Sequence, residues 1–133
     1  MLWMYLTYFH HLLNFEIAMG DKRENNRLDI LGHVQIKRGP SDCLLDALIG
    51  DISNSGIRVY IKEHLSGRVE ISRCHFVDVL GGAETEISET VRGQVVWIKQ
   101  KGKWYSVGIK FDGLNQKNHS AMLAFLEKHA NIK

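Results

Sequence analysis

The 133 residues give room for one domain with a core of its own, and 44% apolar with 24% charged side chains is the balance of an ordinary globular chain, which excludes disorder and fibrous repeats. Seventeen basic against fifteen acidic groups leave a charge of +2, too even for a protein that coats long nucleic acid, while a small anion held by a few arginines stays open. Cys43 and Cys74 form no CxxC pair and no secretory leader is apparent, so both read as reduced core or strand residues in the cytoplasm. No His or Cys spacing suits zinc.

Residues 1–19 are aromatic and aliphatic, with no charge before Glu16. Thr7, His10, His11 and Asn14 interrupt the run, so it falls short of the roughly 20 apolar residues that span a bilayer. The same four residues, spaced by three and four, share one helical stripe opposite Leu2, Trp3, Leu6, Phe9 and Leu13. The segment is expected to be an added amphipathic N-terminal helix. Its polar stripe lacks Lys and Arg, which favours packing on the rest of the protein or on another copy over a membrane surface. Met19, heading MGDKRENNR, is a second place at which translation could begin.

From residue 20 to 27 the composition turns charged and turn-forming, a flexible connector. The first strand is expected over 28–37, with an irregularity near Gly32. Gly39-Pro40-Ser41-Asp42 turns the chain into a second strand over 43–52, and Ser53-Asn54-Ser55-Gly56 turns it again. Ile57, Val59 and Ile61 alternate with Arg58, Tyr60 and Lys62 as a half-buried strand. A fourth strand is placed at 73–79, followed by a polar loop to Thr90. A hairpin over 91–99 and 103–111 follows, with Trp97, Trp104 and Tyr105 available as cross-strand contacts. Asn118 or Ser120 caps a last helix whose buried face carries Met122, Leu123, Phe125 and Leu126. Five or six short strands and a terminal helix make a small all-β barrel with an appended helix.

Two motifs fall at informative places among these elements: Arg23-Glu24-Asn25-Asn26-Arg27 just ahead of the first strand, and Asp51-Ile52-Ser53-Asn54-Ser55-Gly56 at the turn between the second and third. Each is weak alone. Jointly, in that order and strand context, they resemble the RxxxR and [D/N]xSxxG signatures of the PilZ domain family, and GQVVWIK with YSVGIKF is similar to that family's closing hairpin. The resemblance covers about residues 20 to 115. It implies a six-stranded antiparallel barrel with a C-terminal helix, divided here into an apolar segment 1–19 and a PilZ domain 20–133. Within that domain the arginine linker is 20–27, the barrel 28–112 and the helix 116–130. It also implies a bacterial, cytoplasmic receptor of cyclic di-GMP that signals to a protein partner, performs no catalysis and needs no cofactor beyond that ligand.

By the resemblance, Arg23 and Arg27 grip guanine and phosphate while Asp51, Ser53 and Gly56 form the facing surface. The chemistry suits the ligand. A guanidinium pairs bidentately with phosphate oxygens or with guanine O6 and N7, and stacks on a purine. An ionised Asp51 only accepts, so it takes N–H donors of a guanine edge, and Ser53 either donates or accepts. Gly56 supplies either a positive φ or a close approach to backbone. Two other readings compete: a constitutive interaction module associating through residues 1–19, as a homo-oligomer or with another protein, and an oligonucleotide-binding barrel using Lys99, Lys101, Lys103 and Lys110 beside Trp97 and Trp104. The scattered histidines form no HExxH and no nucleophile elbow, so neither a metal site nor a catalytic one is expected.

Overall fold

The computed structural model describes residues 30–39, 43–78 and 81–130, so the expected N-terminal helix and arginine linker lie outside the described residues. The described residues form seven strands: β1 (Ile30–Arg38), β2 (Leu44–Ile52), β3 (Gly56–Ile61), β4 (Arg68–Asp78), β5 (Glu84–Ile87), β6 (Val91–Lys101) and β7 (Trp104–Phe111). A helix, α1 (Gln116–Ala130), follows. All pairings are antiparallel. The order β1-β2-β3-β7-β6-β4 closes on itself through β1 and β4, which gives a six-stranded barrel. Closure removes the exposed edges that an open sheet of this size would carry. β5 is a seventh, short strand: β4 pairs with β6 over Arg68–Ile71 and with β5 over Cys74–Val77.

The inward positions of each strand meet in one core, among them Val34, Ile36, Ala47, Ile57, Val59, Ile71, Phe76, Val107 and Ile109. The helix supplies Met122, Phe125 and Leu126 to it, with Phe125 stacked on Phe76 at 3.9 Å between ring centroids. The β6–β7 hairpin turns through Gly102 and Lys103, with Gly102 at φ 63°, a conformation that glycine reaches without a Cβ penalty. No described helix is long and apolar enough to cross a membrane.

Three expectations change. β4 starts at Arg68, five residues before the expected strand, because its alternation is broken: Ser72 is an extra residue between Ile71, paired with Ile36, and Arg73, paired with Gln35. The apolar pairs Val69/Ile71 and Cys74/Phe76 therefore point inward in two different phases, and only the second had read as a strand. The expected loop before Thr90 contains β5. Finally, neither Asn118 nor Ser120 caps the helix. Asn115 Oδ1 accepts the Asn118 N–H at 2.9 Å, and the turn then breaks at His119 (φ −133°, ψ 35°). Beyond the break Glu89 accepts the N–H groups of Ala121 and Met122, both at 2.9 Å, so the main part of the helix is capped by a distant carboxylate. The buried His119 ring accepts the Asn115 N–H at Nδ1 and donates Nε2–H to the Thr90 carbonyl, which holds the break in place.

The cysteines separate as well. Cys74 is buried in the core, where desolvation, and then the nearby Glu89, push its thiol up to about 12. Cys43 is exposed ahead of β2 and is not a core residue.

Candidate functional site

In a barrel, strand alternation decides which side chains reach solvent, and a single extra residue reverses the assignment for everything beyond it. β2 and β6 each carry such a residue. Ala47 and Ile49 point into the core, so Asp51 would follow them inward. Gly50 is the extra residue, and Asp51 pairs with Arg58 on the outer surface instead. On β6, Val91 is buried and Val95 packs on the core, so Trp97 would point in. Val96 is extra, and Trp97 turns out, 43% exposed, opposite Gly108. Two bulges thus place an acid and an indole on the same outer surface. They flank β3 and β7, which lie side by side in the order β2-β3-β7-β6.

Between them is a hollow of about 570 Å³, of ordinary size for a ligand site. Asp51, Ser53, Ser55, Gly56 and Arg58 line one part and Val96, Trp97, Gly108 and Lys110 the other. The Arg58 guanidinium reaches Asp51 Oδ2 from Nη2 at 3.2 Å and lies 5.6 Å from the centre of the Tyr60 ring. Its side chain is 15% exposed against 50% for Asp51. Gly50 leaves the space it occupies, since a Cβ there would fall 3.1 Å from Arg58 Nε. Among the described residues the buried Nε–H of Arg58 has no acceptor. A buried donor without a partner costs roughly 1–3 kcal/mol, so the site favours a ligand that brings an acceptor to it.

The turn residues serve structure and surface together. Ser53 N–H donates to the Gly56 carbonyl at 2.9 Å, the Ser53 hydroxyl accepts the Ser55 N–H at 3.3 Å, and Phe111 N–H donates to the Ser55 carbonyl at 2.9 Å. Of the two roles expected for Gly56, the positive φ is absent. The close approach is real, but its partner is the neighbouring strand: a Cβ on Gly56 would lie 2.4 Å from the Ile109 carbonyl oxygen. Gly108 has the corresponding role under Trp97, where a Cβ would lie 2.2 Å from the indole Nε1.

The structure brings Asp51, Ser53 and Gly56 to one end of the hollow, while Arg23 and Arg27 lie outside the described residues. β1 nevertheless runs beside β2 towards Asp51. His33 is paired with Leu48, and a Cβ on Gly32 would meet Ile49, two residues before Asp51. Arg27 is three residues ahead of Ile30, about 10 Å of chain at most.

Sequence reasoning missed Arg58, Trp97 and Lys110 as parts of the site. Arg58 had read as the polar side of its alternating strand, Trp97 as a cross-strand contact of the hairpin, and Lys110, with Trp97, as part of the competing oligonucleotide reading only. The three hairpin aromatics do not face one another: Trp97 lies against Gly108, Trp104 takes Lys62 at 5.4 Å and Tyr105 meets His64 edge-on at 5.5 Å. Nor do the lysines of the oligonucleotide reading form one patch. Lys101 and Lys103 are at the hairpin tip, whereas Lys110 pairs with Gln94 at the other end of β7, about 20 Å of strand away. Among the described residues no three His, Cys, Asp or Glu side chains converge to hold a metal.

The profile of the PilZ domain matches residues 21–128, most of the chain. The chain belongs to the PilZ domain family. PilZ domains are binding and adaptor modules for cyclic di-GMP, acting in general with a protein partner, and are not enzymes. The match takes in both motifs and the closing hairpin, and it leaves residues 1–20 outside the PilZ region. Comparison with curated proteins and with solved structures gives no significant match.

Proposed function

We propose that this PilZ domain binds cyclic di-GMP in the hollow between the Asp51–Arg58 pair and Trp97, with Arg23 and Arg27 closing over the ligand from the linker. Arg23 and Arg27 take guanine and phosphate, Asp51 accepts from the N–H groups of a guanine edge, and Ser53 and Gly56 shape the adjoining surface. Trp97 offers a face for a base to stack on. Arg58 and Lys110 add positive charge, and the unpartnered Nε–H of Arg58 meets an acceptor of the ligand. No metal or other cofactor enters this reading. Ordering of residues 20–27 against the barrel then changes the surface that a protein partner reads, a shift of population towards the closed form.

The observation that carries the reading is the pair of bulges at Gly50 and Val96, which turn Asp51 and Trp97 out of the barrel onto opposite sides of one hollow inside the PilZ match. Calorimetric titration of the protein with cyclic di-GMP, beside Arg23→Ala and Arg27→Ala, tests it. Saturable heat in the parent chain, much reduced in both variants, is expected. A parent titration indistinguishable from those of the variants overturns the proposal.

A further inference from the structure

Arg58 lies two residues beyond Gly56, outside both sequence motifs, yet it stands beside the motif aspartate. Asp51 and Arg58 are register partners on β2 and β3, with Arg58 Nη2 3.2 Å from Asp51 Oδ2, and both line the hollow. The guanidinium is held in place. Asp51 takes one end, the Tyr60 ring lies 5.6 Å from its central carbon, and Gly50 leaves the room that Nε occupies. A guanidinium carries more N–H donors than one carboxylate oxygen engages, and among the described residues the Nε–H has no acceptor, so Arg58 has donors to spare beyond the ion pair. An acceptor and a donor therefore stand side by side in one wall of the hollow.

Charge decides what such a pair recognises. A phosphate oxygen brought to Arg58 would also approach the Asp51 carboxylate, and repulsion between the two anions would offset the attraction. A neutral group that donates next to where it accepts meets no such conflict. The Watson–Crick edge of guanine is of this kind: N2–H and N1–H donate, and O6, beside N1, accepts. We propose that Arg58 is a base-reading residue, donating to guanine O6 while Asp51 accepts from N1–H and N2–H, so that the pair selects guanine over adenine. On the same cyclic backbone adenine carries an amino group in the place of O6, which sets donors against the donors of Arg58, and an unprotonated N1, which sets an acceptor against Asp51. The inference rests on the reading of the hollow as a cyclic di-GMP site and adds the residue that decides which base is taken.

Displacement of a fluorescent cyclic di-GMP from the full chain gives affinities for unlabelled cyclic di-GMP and cyclic di-AMP, which share a backbone and differ in the base. The parent, Arg58→Met and Arg58→Lys are compared, each with a melting curve showing that it is folded. The expected result is a parent preference for cyclic di-GMP that falls about tenfold to a hundredfold in both variants, through loss of cyclic di-GMP affinity alone, since lysine keeps the charge without the fork. An equal loss for both ligands in a folded variant makes Arg58 a phosphate contact and overturns the inference. So does a preference that stays at the parent's value. The salt dependence of cyclic di-GMP affinity gives a second readout: Arg58→Met should keep the parent's slope, and a shallower slope, the mark of a lost phosphate contact, overturns the inference as well. A parent that binds no cyclic di-GMP overturns the reading of the hollow itself, whereas binding with unchanged preference in the variants removes only the role of Arg58.

Discussion

Gly56→Ala separates two roles that a motif glycine can have, packing of strands and approach of a ligand. An added Cβ would lie 2.4 Å from the Ile109 carbonyl oxygen, far inside van der Waals contact, and 3.4 Å from the Lys110 Cα. What it meets is backbone held in the β3–β7 ladder, with Gly56 opposite Lys110 and Ile57 opposite Ile109, so no rotamer change relieves it. Overpacking of this kind costs about 1–3 kcal/mol, and the rigidity of the partner puts this case near the top of that range. Against it stands a gain of up to about 1 kcal/mol, because alanine has less backbone entropy to lose than glycine at an ordinary φ. The net loss is about 2 kcal/mol, or about 8 °C in melting temperature for a chain of this size. Thermal unfolding followed by circular dichroism, without ligand, measures it. A variant that melts within about 2 °C of the parent but no longer binds cyclic di-GMP would refute the strand-packing argument and return Gly56 to the ligand.

Gly108→Ala makes the informative contrast: its Cβ would fall 2.2 Å from Trp97 Nε1, a partly exposed side chain free to swing away, so melting should change by less than about 4 °C while ligand affinity falls with the displaced indole. Trp97→Ala removes the stacking face outright and should weaken binding of cyclic di-GMP about tenfold to hundredfold in calorimetry, since base–aromatic stacking is worth about 1–3 kcal/mol. Glu89→Ala uncaps the main part of α1 and should cost about 1–2 kcal/mol in urea unfolding; an unchanged midpoint would remove Glu89 as the cap. His33 should titrate below 6.5 by NMR, and lower still in Asp46→Asn, because burial lowers its pKa while Asp46, 3.3 Å away, raises it. Between the two midpoints the unfolded chain binds the proton more readily than the folded one. Stability therefore rises with pH through that window, is fully present above 6.5, and declines as pH falls below it. His33→Gln should flatten the slope.

Much of this architecture was legible because it is local. The turn at 53–56, a hairpin turn expected over 100–102 and found at Gly102 and Lys103, the alternation of Ile57, Val59 and Ile61, and the terminal helix depend on the φ preferences of a few residues and on periods of two and 3.6. Asp51, Ser53 and Gly56 were singled out through the resemblance, and they line one hollow. Arg58 and Trp97 were not, for one reason. An extra residue in a strand is defined only against its neighbour, and nothing in the tripeptides around Gly50, Ser72 or Val96 states which partner residue they will lack. The helix cap escaped in the same way, since Glu89 and Ala121 meet only after the barrel has closed and brought them together. Amino-acid order by itself settled the barrel's turns, its alternating strands and the end of the sheet at which the motif residues stand. Which face Asp51 and Trp97 occupy was decided in the tertiary structure, because hydrogen-bond register between strands, and not the sequence of either strand, sets the phase of the side chains beyond a bulge.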